Sequence, residues 1–269
     1  MDIYVKKAII HQFSPDDTDL YLADKFLNIT PKIEEYLRKK IERVYSDEAK
    51  TGIFEEDNPF LEMVSDDLLE TSVAIANRWK EEFIVSENQK TNDLVFIQFS
   101  KEGVDHFAFL RIALRETLTH LGDEVDNPIK LTQNNLPGFG TGADEALVIN
   151  LQSRKYHLIE KRIKYNGTFL NYFSENLLQA QPKISPKKSI KALEKTAQRI
   201  AESFNTDDFQ FQSKVKSAIF NHIEEENKLS PEKLADDLFD DNLTARLSFN
   251  DQVKEAIPEP VTFEEIDSS

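Results

Sequence analysis

Asp93-Leu94-Val95-Phe96-Ile97-Gln98-Phe99-Ser100, then Lys101-Glu102-Gly103, then Val104-Asp105-His106-Phe107-Ala108-Phe109-Leu110-Arg111-Ile112-Ala113-Leu114-Arg115 is the stretch that decides the fold. Two apolar runs rich in Val, Ile, Leu and Phe flank a short polar turn with a Gly where positive φ is needed, the pattern of a β-hairpin. The sheet is therefore at least partly antiparallel.

On the N-terminal side, residues 2–13 read as a strand, and a second short one around 20–23 follows the acidic turn Pro15-Asp16-Asp17. Thr30-Pro31 starts a helix, because Thr can cap the orphan amides and Pro at the first helical position gives up no hydrogen bond. Ile33, Tyr36, Leu37, Ile41 and Val44 then recur at helical spacing. Ser65-Asp66-Asp67 opens another helix, in which Leu68, Leu69, Ser72, Ala76, Trp79 and Phe83 form an inward stripe. That stripe makes Trp79 a core residue and not a stacking platform.

On the C-terminal side, residues 122–142 lack periodicity and close on Leu136-Pro137-Gly138-Phe139-Gly140-Thr141-Gly142, read as a flexible loop. Residues 146–151 and 156–163 read as strands, and Asn166-Gly167 turns the chain into a helix carrying Phe169, Phe173 and Leu177. Ser185-Pro186 caps a long helix with Ile190, Leu193, Ala197, Ile200 and Phe204 inward, a further helix covers 207–226, and Ser230-Pro231 starts a last short one. Beyond Pro258 and Pro260 the acidic tail is expected to be mobile, as residues 261–266 have no evident partner. The expected fold is α+β: a partly antiparallel sheet with flanking helices, followed by a mainly helical C-terminal part. The expected division is 1–165 for the sheet domain, 166–257 for the helical region and 258–269 for the acidic tail.

With 269 residues and 39% hydrophobic content the chain can bury one large core or two smaller ones. It contains 0 cysteines, which excludes disulfides and thiolate metal sites and suits a reducing cytosol. The N-terminal residues lack the layout of a signal peptide, and the apolar runs fall far short of the roughly 18 residues a membrane helix needs. The expectation is a protein neither secreted nor membrane-spanning.

The net charge of −16 argues, taken globally, against a polyanionic ligand. Locally the balance inverts. Residues 154–199 hold eleven bases (Arg154, Lys155, Lys161, Arg162, Lys164, Lys183, Lys187, Lys188, Lys191, Lys195, Arg199) against Glu160, Glu175 and Glu194, a net of +8. Lys187, Lys191, Lys195 and Arg199 are spaced by four, along one side of the predicted helix and away from its apolar stripe. Like charges at that spacing repel, so a counter-charge is favourable, from phosphates or from the protein itself. Residues 224–269 hold fourteen acids and four bases, a net of −10, and could be that internal counter-charge. A Lys-rich helix face is also simply a common solvated surface.

Catalytic patterns are missing. Gly138-Phe139-Gly140-Thr141-Gly142 lacks the Lys-Ser or Lys-Thr of a phosphate loop, and the five histidines (His11, His106, His120, His157, His222) show no metal-ligand spacing. For a metal nuclease only Asp93, Asp105, Asp144, Glu145 and Glu160 are sensible ligand candidates, with no diagnostic spacing. No serine hydrolase pattern and no cofactor motif is found.

At Tyr4-Val5-Lys6-Lys7-Ala8-Ile9-Ile10-His11, Ile41-Glu42-Arg43-Val44-Tyr45-Ser46 and Gly52-Ile53-Phe54 the chain resembles the NdpA-like bacterial nucleoid-associated protein family. The resemblance is best at Ile149-Asn150-Leu151, Tyr156-His157-Leu158-Ile159-Glu160-Lys161-Arg162 and Asn171-Tyr172-Phe173. It implies a cytoplasmic protein at the compacted chromosome that contacts DNA or DNA-handling proteins, with no catalytic site to carry over. Family members generally extend beyond the equivalent of Phe263, so the chain looks shortened.

Two functions compete. The first is sequence-tolerant binding of duplex DNA through Lys155, Lys161, Arg162, Lys164, Lys187, Lys188, Lys191, Lys195 and Arg199. The second is an adaptor whose acidic surfaces bind basic regions of chromosome-maintenance proteins. A metal-dependent nuclease is third, and the chain is expected not to be an enzyme.

Overall fold

The computed structural model describes residues 2–15, 19–46, 49–83, 90–120, 129–160, 163–165, 168–184, 186–204, 210–226, 228–240, 242–256 and 261–262. In chain order the elements are β1 (Ile3–Ser14), β2 (Asp19–Tyr21), α1 (Pro31–Val44), β3 (Lys50–Ile53), α2 (Pro59–Glu62), α3 (Leu68–Glu82), β4 (Asn92–Lys101) and β5 (Val104–Ala113). There follow β6 (Arg115–His120), β7 (Ile129–Asn135), β8 (Glu145–Asn150), β9 (Lys155–Ile159), β10 (Ile163–Tyr165), β11 (Thr168–Leu170), a π-helix (Phe173–Leu177) and β12 (Lys183–Ile184). The rest is α4 (Pro186–Ser203), α5 (Phe211–Glu226), β13 (Lys228–Leu229), α6 (Pro231–Leu238), α7 (Leu243–Ala256) and β14 (Val261–Thr262). The fold is α+β, with an antiparallel sheet and helices dominating the C-terminal part, as expected.

Eight strands pair in the order β12-β3-β9-β8-β5-β4-β1-β2, and every registered pairing among the described residues is antiparallel. The expected hairpin is β4-β5, closed by Lys101 opposite Val104. Glu102 (φ 53°) and Gly103 (φ 82°) both adopt positive φ, a type I′ turn that suits the twist of the flanking strands.

Both faces of this sheet are covered, which is why β4 and β5 read as continuous apolar runs instead of alternating polar and apolar residues. Val95, Ile97, Phe99, Ala108, Leu110, Ile112, Ala146 and Val148 face α1 through Leu37, Ile41 and Val44. Leu94, Phe96, Phe107, Phe109, Leu147 and Ile149 face α3 and the π-helix. β1 keeps both faces supplied by a bulge between Val5 and Lys7: Ile3 and Val5 precede it on the α1 face, Ala8 follows on that same face, and Ile9 and Phe13 turn to the other.

Caps fall where the residue types direct them. Thr30 Oγ1 accepts from Ile33 N at 3.4 Å ahead of Pro31, and Asp67 Oδ1 accepts from Leu69 N at 2.8 Å. Trp79 is fully buried, stacked on Phe83 at 4.2 Å and edge-on to Phe13 at 5.4 Å, so it belongs to the core. Gly52 lies opposite Tyr156, whose ring crosses so closely that a Cβ at Gly52 would sit 2.3 Å from its hydroxyl.

Several local expectations change. Residues 129–135, read as loop, form β7 and pair with β6. The helix expected after Asn166-Gly167 is instead the β10-β11 hairpin, with Phe169 opposite Lys164, followed by a single π turn that buries Phe173 and Leu177. A second helix, α7, follows the one started by Ser230-Pro231. Val261 and Thr262 do have a partner: they pair with Leu229 and Lys228.

The chain divides into two compact units, Met1–Lys183 and Ile184–Ser269. The expected boundary at 165/166 precedes Tyr172, Phe173, Leu177 and Leu178, and these four pack in the core of the first unit. The second unit has its own core: Leu193, Ala197 and Ile200 of α4, Val215 and Ile219 of α5, Leu234 and Leu238 of α6, and Phe249 and Val253 of α7. Within it α4 packs on α5 and α7, and α6 packs on the same two, closing a ring of four helices.

Candidate nucleic-acid interface

The inward side of α4 carries Ser189, Leu193, Thr196, Ala197, Ile200 and Ala201, all buried. Lys191, Lys195 and Arg199 are exposed, one helical turn apart. Their Cα positions span about 12 Å of helix axis at 1.5 Å per residue. Among the described residues none of these three makes an ion pair. Two acids of α6 are committed elsewhere: Asp237 to His222 at 2.6 Å and Asp236 to Arg246 at 2.9 Å. Within α4 itself Glu202 accepts from Gln198 at 3.1 Å.

The other expected bases are distributed unevenly. Lys187 and Lys188 lie in the first turn of α4, with side chains outside the described residues. Lys155 is exposed on β9 of the first unit, Lys164 is on β10 with its side chain outside the described residues, and Lys161 and Arg162 fall outside them altogether. Lys191, Lys195 and Arg199 therefore share one helix, whereas Lys155 and Lys164 belong to the other unit.

The five carboxylates considered for metal chemistry each have a structural engagement. Glu145 is fully buried and takes Arg111 Nε at 2.7 Å and the Tyr172 hydroxyl on Oε2; Arg111 also donates to Asn92 Oδ1 at 2.9 Å. Burial pushes Glu145 above the ordinary carboxylate range, against the pull of Arg111 and Tyr172. Trp79 Nε1 donates to the Tyr172 hydroxyl at 3.3 Å, so the network reaches into the aromatic core. Glu160 accepts from Lys50 at 2.6 Å and from the Ser174 amide at 3.0 Å, anchoring the π-helix to β3 and β9. Asp144 accepts from Ala113 N at 2.9 Å, Asp93 from Gln12 at 3.1 Å, and Asp105 pairs with Lys6 at 2.5 Å. Among the described residues no three His, Asp or Glu side chains converge on a metal position.

The Gly-rich loop is held, not free. Lys40 is fully buried, and its ammonium donates to the carbonyls of Pro137 (3.3 Å), Gly138 (2.9 Å) and Thr141 (2.5 Å), while the Tyr36 hydroxyl donates to Pro137 O at 3.1 Å. A phosphate loop converges amides on an anion; here carbonyls converge on a cation, the opposite polarity. Burial, aided by Arg43 and Arg115, lowers the Lys40 pKa to about 8.

His11 and Ser72 resemble a base and nucleophile only at first sight. His11 Nδ1 accepts from Ala23 N at 3.0 Å, which in the neutral ring leaves the proton on Nε2, directed at Ser72 Oγ at 3.0 Å. Ser72 Oγ donates in turn to Leu69 O at 2.8 Å. The serine receives a proton from the ring instead of surrendering one, so the pair is a buried strut. Burial lowers the His11 pKa to about 4.

The geometry defines an α+β protein with a covered antiparallel sheet and a separate helical unit bearing one exposed basic helix. Residues 9–266 match the family model described as nucleoid-associated protein YejK, and the chain belongs to that family. This agrees with the resemblance seen in the sequence. No curated protein matches the chain. Among the described residues no helix is long and apolar enough to cross a membrane.

Proposed function

We propose that this nucleoid-associated protein acts in the bacterial cytoplasm as a binding protein, not an enzyme, and holds duplex DNA without sequence preference through phosphate contacts from a basic face within 154–199. The observation that carries this reading is the row Lys191, Lys195 and Arg199 on α4, exposed and without an acidic partner among the described residues. In sequence Lys187 continues the four-residue spacing with Lys188 beside it, and Lys155, Lys161, Arg162 and Lys164 of the first unit are further candidate phosphate contacts in their own right. A helix bearing charges at each turn and no base-reading pattern supplies affinity more readily than specificity.

The test is titration of the protein with duplex DNA at several salt concentrations. If about five bases touch phosphates, log K falls against log salt with a slope near −4.5, a loss of roughly 10² to 10³ between about 50 and 200 mM. Replacing Lys187, Lys188, Lys191 and Lys195 by Gln should weaken binding and flatten that slope while leaving the melting temperature unchanged, since exposed charge substitutions move stability by no more than about 0.5 kcal/mol each. Unchanged binding would remove α4 from the interface. The net charge of −16 favours a second reading, an adaptor for basic regions of chromosome-maintenance proteins. It takes over if no duplex binding is seen at low salt.

A further inference from the structure

The loop from Leu136 to Gly142 presents Leu136 and Phe139 to solvent, 46% and 38% exposed, on a backbone pinned from the protein side by the buried Lys40. The Phe139 ring meets Tyr36 at 5.4 Å and 81°, a perpendicular contact, and among the described residues no ring stacks on it. Gly138 and Gly140 flank it; neither has positive φ, and a Cβ at either would meet nothing within 4 Å. Packing does not demand glycine there, and its effect is to leave the space on both sides of the ring clear.

Cations stand at both ends of the loop. Arg115 on β6 is opposite Asn135, the residue before Leu136, and Arg43 on α1 packs against Gly142, its Cδ 3.8 Å from where a Cβ would be. Both arginines are exposed, make no ion pair among the described residues, and act on the charge of Lys40. Residues 38–43 hold Arg38, Lys39, Lys40 and Arg43 against Glu42, a net of +3, and Glu42 is engaged by Arg38 at 2.9 Å and Lys39 at 3.3 Å. Asp144, which also acts on Lys40, accepts from the Ala113 amide. Arg115 has the exposed Glu116 beside it, so the Arg43 end is the more positive. An exposed ring between two cations suits a chain that alternates flat bases with phosphates. In a duplex the base faces are already stacked on one another, whereas an unpaired base has a face to offer the ring.

We propose that this loop is a platform for single-stranded DNA: an unpaired base stacks on Phe139, and the phosphates on either side of it are held by Arg43 and Arg115. The site lies in the first unit and does not depend on the reading of α4, which belongs to the second. Lys40 is a positioning residue: through the loop carbonyls it fixes Phe139 before any strand arrives.

The test is titration of the full chain with a thymidine oligonucleotide about 12 nucleotides long and with an abasic strand of the same length, which keeps the phosphates and lacks the bases. Phe139→Ala should weaken binding of the thymidine strand about 5- to 150-fold and leave binding of the abasic strand and of duplex DNA unchanged. Phe139→Trp should keep the affinity and gain an indole whose fluorescence the thymidine strand quenches, against the constant signal of the buried Trp79. Arg43→Gln with Arg115→Gln should flatten the slope of log K against log salt by about 1.4, two single-strand phosphates at about 0.7 each, while quenching at saturation persists in the Phe139→Trp background. No weakening by Phe139→Ala, equal weakening of the thymidine and abasic strands, or no quenching at saturation overturns the stacking. Quenching that depends on protein concentration without DNA overturns it too and makes a second copy the occupant. An unchanged salt slope removes the two arginines from the site. Absence of single-strand binding at low salt overturns the platform and leaves α4 to be judged by its own duplex titration.

Discussion

Arg111→Met tests the buried network most directly. The substitution keeps the length of the side chain over the Phe83 ring, now 5.7 Å from the guanidinium, but removes the bonds to Glu145 (2.7 Å) and Asn92 (2.9 Å). Glu145 is left fully buried, with Tyr172 as its remaining donor and Oε1 already without one. Breaking a buried pair from one side costs about 3–5 kcal/mol, a large part of the 5–15 kcal/mol that stabilises a typical domain. Arg111→Met with Glu145→Leu removes both charges and should recover most of that loss, coming within about 1–2 kcal/mol of the parent. Urea unfolding followed by fluorescence is well suited, because the single tryptophan, Trp79, lies in the same unit and donates to Tyr172. The sign with pH is fixed. A carboxyl whose folded pKa is raised is tolerated while protonated and becomes costly as pH rises through that pKa. The Arg111→Met deficit should therefore grow from pH 5 to pH 7. Equal destabilisation of the single and double variants, or a deficit independent of pH, would show that Arg111 and Glu145 are not coupled.

Two further outcomes are expected. Burial lowers His11 and His157 to about 4 from an ordinary 6.5, so each contributes stability that is present above pH 6.5 and lost as pH falls toward 4, worth about 3 kcal/mol for fully buried His11; urea midpoints from pH 7 to 4 should fall, and His11→Asn should fall less steeply. Glu102 holds φ 53° in a type I′ turn that favours Asn, so Glu102→Asn should raise stability by about 0.5–1 kcal/mol, read as a higher melting temperature, and no rise would mean the turn is unstrained.

Where the sequence was easy to read, a local rule and the tertiary structure agreed. The β4-β5 hairpin, the Thr30 cap and the stripe through Trp79 are all of this kind. Where it was hard, the pattern pointed to the wrong residues. In α7 the buried positions are Ala245, Phe249 and Val253, while Leu243 and Leu247 are exposed, so apolar character alone does not trace the inward stripe. Phe169, Phe173 and Leu177 have helical spacing by coincidence, since the first lies on β11 and the others on the π turn. The partner of the Gly-rich loop is Lys40, about a hundred residues earlier, and nothing local in the loop announces it. Arg111 and Glu145 were legible as charges within or beside apolar strand runs, although their pairing was not. On the candidate site, helical spacing put Lys191, Lys195 and Arg199 on one side of the helix, and all three are exposed, while the expected division at 165/166 already separated Lys155 from them.

The acidity of the chain and the basic helix are not in conflict once the charge is assigned to elements. On the proposed reading, the exposed row Lys191, Lys195 and Arg199 would attract a duplex locally although the net charge of −16 repels it on average. Phosphate contacts alone would make a uniformly basic protein adhere to any duplex in any orientation. On the proposed reading, a short row on α4 would make few phosphate contacts and release few counterions, which would hold affinity in a range that salt can reverse. Sequence-tolerant binding of the proposed kind would need that reversibility, and the exposed row of Lys191, Lys195 and Arg199, without an acidic partner among the described residues, is where it would be set.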